Sequence, residues 1–182
     1  TLLLSNATVS MPSLFAKLPF DVQRDLAPVS LAGYGPMALV TLPTLPAKNL
    51  KELLALAKAQ PGKLNFASGG TGVGIHMAGE LFNLTAGVKI THVPYKGAGP
   101  GMTALLAGEV DMMFNGLSAA LPQVKSGRLR ALAVGSEKRS ALMPDLPTVA
   151  ENGYQFNAAG WYGPLVPKNT PPAITSKLRD SL

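Results

Sequence analysis

Four short strand-like segments, at residues 64–67, 90–94, 110–114 and 129–134, recur along the middle of the chain, and each gives way to a glycine-bearing loop. After the first three, a helical pattern of about three turns follows before the next run begins. Strands separated by helices of that length require crossover connections, which are right-handed in nearly all known cases. The rhythm therefore predicts an α/β fold with a mostly parallel sheet and helices on its faces.

Each segment has its own punctuation. The helix preceding the first run is the clearest: Asn49 can cap it, Glu52 stands three residues on, Leu50, Leu53, Leu54 and Ala57 share one face, and Pro61-Gly62 stops it. Run 64–67 leads through Ser68-Gly69-Gly70-Thr71-Gly72-Val73-Gly74 to a helix expected to turn Met77, Leu81 and Leu84 to one side. Run 90–94 leads into Tyr95-Lys96-Gly97-Ala98-Gly99, with Pro100 expected as a first helical residue, Met102, Leu105 and Leu106 as an apolar face and Gly108 as the stop. Run 110–114 ends at Asn115-Gly116, and a helix is expected from near Ser118 to Gly127. Upstream lie a strand at 1–4, a polar turn Ser5-Asn6-Ala7-Thr8, a connector carrying Pro12, Pro19 and Pro28, and a strand at 37–42. Downstream, 136–153 is loop-rich and expected to return the chain to another lobe; a strand near 156–166 and a helix opened by Thr170-Pro171 complete the reading.

Composition narrows the function classes. Apolar residues are 47% and charged residues only 14%, which excludes a solvated coil and predicts an unusually neutral surface. The net charge of +6 is scattered, with no basic run interleaved with aromatics, so nucleic acid is not an expected partner; a basic shell would suit an anionic ligand. Without cysteine there is no disulfide, thiolate nucleophile or cysteine-based metal site. No apolar stretch approaches the ~20 residues of a spanning helix, so direct membrane insertion is not expected. No signal peptide is visible; the opening Thr1-Leu2-Leu3-Leu4 reads as a strand already under way, and the expectation is that an N-terminal part with any export signal precedes it.

Ligands of open parallel sheets bind beyond the C-terminal strand ends, where loops enter helix N-termini. Three such loops are readable here, and the one at 68–74 is the most informative. Its glycines would let amides approach a ligand closely, the next helix offers a positive dipole end, and Ser68 and Thr71 add hydroxyls. That is a carboxylate cradle without a cationic side chain, although a tight glycine turn with no ligand fits the same residues. Neither a Walker A loop nor a dinucleotide fingerprint fits, since Met77 and Met102 occupy the positions where a third glycine would be needed. The G-x-S-x-G pattern fails at Phe66. His76 and Glu80 share a helical face but lack a third metal ligand; His76 is expected instead to brace the glycine loop, and His92 to be structural. No convergent acid and base are readable, and no cofactor is expected. Tyr95 and Lys96 precede the second glycine loop, as a cleft wall and an anion attractant or as a packing tyrosine and a solvated lysine. Asn115 can both donate and accept at a strand end, or simply turn the chain before Gly116. Trp161, the single tryptophan, reads as packing.

Lys63-Leu64-Asn65-Phe66-Ala67-Ser68-Gly69, His76-Met77-Ala78-Gly79-Glu80-Leu81-Phe82, His92-Val93-Pro94-Tyr95-Lys96-Gly97 and Gly108-Glu109-Val110-Asp111-Met112-Met113-Phe114 occur in that order. With Leu121-Pro122-Gln123-Val124-Lys125-Ser126-Gly127, Pro147-Thr148-Val149-Ala150-Glu151 and Trp161-Tyr162-Gly163, they make the chain resemble the periplasmic receptors of tripartite tricarboxylate transporters, the Bordetella uptake gene family. The resemblance implies a type II periplasmic-binding-protein-like fold that closes on a small carboxylate between two lobes and delivers it to membrane permease subunits. It implies one complete lobe at 33–136, with 1–32 and 137–182 as parts of the other, because the family's first strand and last elements have no counterpart in this chain. Carried onto this sequence, ligand contacts come from Ser5, Asn6 and Thr8, from Ser68, Gly69, Gly70, Thr71 and Gly72, and from Asn115 and Gly116, largely through backbone amides and water; His76 and Tyr95 join them from the reading of the loops. Periplasmic location follows from the resemblance alone. The alternatives are a ligand sensor docked on a signalling kinase and, more remotely, a small hydrolase.

Overall fold

The computed structural model describes residues 2–6, 17 and 19–182. The chain divides into two compact units, Thr1–Tyr34 with Gly160–Leu182, and Gly35–Ala159.

In the first unit, β8 (Ala159–Pro167) is flanked by two antiparallel partners, β1 (Leu3–Asn6) and β2 (Leu26–Pro28). A single-turn helix, α1 (Val22–Asp25), precedes β2 and is capped by the Asp21 carboxylate on the Arg24 amide. Helix α6 (Pro172–Asp180) follows β8 and is tied to the unit by Arg179 Nε donating to the Val29 carbonyl, 3.1 Å. Neither α1 nor β2 was expected in the proline-rich connector; both are too short to carry a periodic pattern.

The second unit is built on five strands: β3 (Gly33–Thr41), β4 (Asn65–Ser68), β5 (Thr91–Pro94), β6 (Met112–Gly116) and β7 (Arg130–Val134). β4 pairs in parallel with both β5 and β6, whereas β3 lies antiparallel between β6 and β7. Thus β4 to β7 all run one way, as their helical connections demand, and β3 is a single reversed strand inserted among them. Four of the sheet's five strands thus share one direction, and it is made mixed by β3, which is not a member of the crossover series. It is followed by helix α2 (Leu50–Ala59), and α3 (Gly74–Ala86), α4 (Ala98–Ala107) and α5 (Leu117–Lys125) bridge the parallel strands.

Alternation along the central strands divides the core. Leu39, Phe66, Met112 and Phe114 face α2 and α3, while Ala38, Val40, Ala67 and Met113 face α4 and α5. Buried on both sides, these strands read as continuous apolar runs. On α3 the covered face is Ala78, Gly79, Phe82 and Ala86; of the expected Met77, Leu81 and Leu84, Leu81 packs partly buried against this core, whereas Leu84 is 79% exposed. Small residues win the inner face because the helix sits so close to Phe66 that a Cβ on Gly79 would fall 2.2 Å from its ring. Helix α4 starts two residues earlier than expected, placing Pro100 third; a first-turn amide has no intrahelical acceptor, so its loss there costs little.

The loop-rich segment after β7 stays with the second unit instead of leaving at 136. Thr148 forms a parallel bridge with Val134, Val149 N donates to the Val134 carbonyl at 2.9 Å, and Ala158 N to the Gly135 carbonyl at 2.7 Å. Phe156 completes an aromatic cluster with Phe82 and Phe114, at centroid distances of 6.1 and 5.4 Å. Apolar anchors widely spaced in a polar segment leave no periodic trace in the sequence.

Candidate functional site

At the C-terminal ends of β4, β5 and β6 the chain turns directly into α3, α4 and α5, and none of these helices has a side-chain cap. Away from that edge, α1 and α2 are capped by Asp21 and Asn49; α6, opened by Pro171-Pro172, is not. An uncapped N-terminus leaves amide donors and a partial positive charge without a partner on the helix itself. In α3 the first helical bond is Met77 N to the Val73 carbonyl, 3.0 Å, so the amides of Gly74, Ile75 and His76 have no intrahelical acceptor.

The glycine loop ahead of α3 is held by its own side chains. Ser68, wholly buried, places Oγ 3.1 Å from the Gly70 amide, which donates to it, and 3.0 Å from the Gly70 carbonyl. The Gly72 amide donates to His76 Nδ1 at 3.0 Å, the bracing role expected of that histidine. His92 Nε2 lies 2.6 Å from Ser68 Oγ. The His76 and His92 rings stack with centroids 3.9 Å apart, and His92 in turn lies on Phe66 at 5.0 Å. Strand register accounts for this stack: Phe66 and His92 are partners across the parallel β4–β5 pair, and Ser68 is two residues on from Phe66, hence on the same face. Burial, and then the neighbouring His76, hold the His92 imidazole below its usual pKa, with Glu80 pulling the other way.

Gly69 and Gly70 are each required by geometry. Gly70 has φ +134°, outside the range of L side chains, and a Cβ on Gly69 would stand 3.0 Å from the Ala98 amide nitrogen of the adjoining loop. The two loops are joined directly, with the Gly97 amide donating to the Gly69 carbonyl and the Tyr95 amide to the Ser68 carbonyl, both at 3.0 Å.

The expected contact residues thus sort unevenly. Ser68, Gly69, Gly70, Thr71, Gly72 and His76 are brought together, but the amides of Gly70 and Gly72 and the Ser68 hydroxyl are engaged within the loop. Thr71 is exposed at its tip. Asn115, 7% exposed, turns Oδ1 back to accept from the Gly116 amide at 2.8 Å. Tyr95 packs its ring on the α4 side of the sheet and points its hydroxyl at Glu109 Oε2, 3.5 Å away. Ser5 and Asn6 end β1, paired with Gly163 and Tyr162, and Thr8 lies outside the described residues. The unsatisfied amides expected at the head of the helix after this loop are those of Gly74, Ile75 and His76, of which only His76 was among the residues named as contacts. The run from Val73 to His76 contains no Ser, Thr, Asp or Asn whose side chain could cap them.

Ser68 and His92 form a hydroxyl–imidazole pair that the sequence did not reveal, because 24 residues separate them. It lacks the features of a nucleophile: Ser68 is 0% exposed and its oxygen already serves the Gly70 amide. Among the described residues no group of acidic or histidine side chains is arranged to hold a metal, and no helix is long and apolar enough to cross a membrane.

The model of the tripartite tricarboxylate transporter family receptor, TctC, matches residues 1–182. The chain belongs to this receptor family. It is 42% identical over 178 residues to the protein BugT of Bordetella pertussis, covering 96% of this chain and 55% of BugT. Among solved structures it is similar to Rpa4515 of R. palustris with adipate (TM-score 0.90, 29% identity, 97% of this chain and 60% of that one). It is also similar to MatC (Rpa3494) of Rhodopseudomonas palustris with bound malate (TM-score 0.87, 30% identity, 97% and 61%). The chain therefore spans between half and two thirds of the length of these TctC relatives. Its fold is that of the TctC receptors, a type II periplasmic-binding-protein-like α/β fold with a mixed sheet and flanking helices. The family is one of receptors, which agrees with a serine–histidine pair buried for structure rather than exposed for chemistry.

Proposed function

We propose that this chain is part of an extracytoplasmic solute receptor that binds a small carboxylate at the head of α3. In this reading it carries the ligand in the periplasm to the permease subunits of a tripartite tricarboxylate transporter. The observation that carries the reading is the uncapped first turn of α3, reached through a loop in which the Gly70 and Gly72 amides are already engaged. Such a turn offers three amides and a dipole end to one acid group, and nothing that would bind a cation. The relatives' ligands, adipate and malate, share two carboxylates and differ in length and in a hydroxyl. A cradle of main-chain donors suits that shared group without fixing the rest of the molecule. Lys96, exposed just before α4, adds a long-range attraction for anions. Thr71 is placed to add a hydroxyl contact at the loop tip.

A thermal-shift series with malate, adipate, citrate, acetate and a neutral diamide of malate tests the proposal. A dicarboxylate present at 100 times its Kd is expected to add about 2.7 kcal/mol of apparent stability. The diamide is expected to leave the melting temperature unchanged. Failure of every acid to raise it would remove the carboxylate assignment.

A further inference from the structure

We infer that His76 and His92 form a proton-sensitive latch on the glycine loop: while His76 is neutral the loop is held in its observed shape, and protonation lets it go. That the latch governs ligand affinity rests on the proposed carboxylate site; the latch itself does not.

A backbone amide can only donate. Because Gly72 N lies 3.0 Å from His76 Nδ1, that nitrogen must be bare, and the ring's single proton sits on Nε2. Nε2 is 3.8 Å from Glu80 Oε1. An imidazolium at position 76 carries hydrogens on both nitrogens, so its Nδ1–H would confront the Gly72 N–H and the loop's bond to α3 would be lost. Gly72 is buried and has φ +83°, so the freed amide has no water at hand and the turn has few other conformations that keep the helix entry.

His92 fixes the ring that does this work. It stacks on His76 at 3.9 Å, is itself anchored to Ser68 Oγ at 2.6 Å, and lies on Phe66. Ser68 Oγ also accepts from the Gly70 amide, so Gly70 and Gly72 are both tied to one stacked pair. The charged and titratable groups facing the pair are few. Helix α3 contributes Glu80, strand β5 contributes His92, and strand β4 brings only Phe66 and Ser68. Burial, then charge on His76, opposes a proton on His92, with Glu80, 45% exposed, pulling the other way. The shape of the loop is thereby tied to whether His76 Nδ1 carries a proton.

Nitrogen-15 NMR of the histidine rings and amides in the 182-residue chain, from about pH 8 to about pH 5 without ligand, tests the latch directly. The expected result is a bare Nδ1 on His76 at high pH, and a Gly72 amide resonance that moves with the same midpoint as the His76 ring. In His76→Asn the side-chain oxygen can still accept from Gly72 but does not titrate, so the Gly72 resonance is expected to stay flat. A proton on Nδ1 at high pH, or a Gly72 amide indifferent to the titration of His76, would overturn the latch. Malate affinity, followed by calorimetry in each protein relative to its own value at high pH, gives the second readout. One pH unit below the midpoint, the latched fraction and hence the affinity fall about tenfold in the parent chain. The fall is smaller in His76→Asn, and equal falls in the two would overturn the coupling to ligand. Absence of malate binding at every pH would instead count against the carboxylate site, with the ring and amide resonances still deciding the latch.

Discussion

Gly79 shows how one residue sets the distance between α3 and the sheet. A methyl group there would stand 2.2 Å from Phe66 Cε2 and 2.5 Å from Cζ, and Phe66 is wholly buried beneath the two histidine rings. Replacing a helical glycine by alanine ordinarily gains up to about 1 kcal/mol of helix propensity. Overpacking costs about 1–3 kcal/mol and is the larger effect where the struck atom cannot move aside. Gly79→Ala is therefore expected to destabilise the protein by about 1–2 kcal/mol in urea unfolding; a stabilised variant would mean that α3 does not lie against Phe66 as described. At this scale the sequence was partly readable. His76 bracing Gly72 spans four residues and follows from helix geometry, whereas Ser68 and His92 meet only because β4 and β5 pair in a particular register. Asn115 and Tyr95 were legible as residues at strand ends, but not in the direction their side chains take.

Among the elements, α2 was the most legible because its signals are local. Asn49 Oδ1 accepts from the Glu52 amide at 2.9 Å and Glu52 Oε2 accepts from the Lys48 amide at 2.7 Å, a reciprocal cap written within five residues. Asn49→Ala is expected to cost about 1 kcal/mol, read as a lower urea midpoint at unchanged slope. No change would place the start of α2 elsewhere. The central strands β4 and β6 were legible for the opposite reason: buried on both faces, they show as short apolar stretches, Phe66-Ala67 and Met112-Met113-Phe114. The reversed strand β3 could not be ordered among them, since strand neighbours are a matter of tertiary packing. The inner face of α3 was misread because alanine and glycine carry little hydrophobic signal and yet permit the closest approach.

For the whole molecule, the crossing points of the chain lie near residues 34 and 159, and the later one was not legible. The segment from 137 to 159 looks like a linker by composition. It is held to the Gly35–Ala159 unit by Thr148, Val149 and Phe156, which are 0, 0 and 3% exposed. Phe156→Ala removes the ring packed against both Phe82 and Phe114 and is expected to cost about 3–5 kcal/mol. The same variant should open the segment to trypsin at Lys138 and Arg139 before the rest of the unit unfolds. Cleavage no faster than in the parent chain would show that the segment is held by something else.

The account turns on which amides meet the ligand. A titration of the nitrogen-15-labelled chain with malate, followed amide by amide, decides it. The expected result is saturable shifts concentrated on Thr71, Gly74, Ile75 and His76, with smaller ones at Gly70 and Gly72, whose donors are already engaged. Saturable shifts gathered elsewhere in the chain, with residues 71 to 76 unmoved, would contradict it.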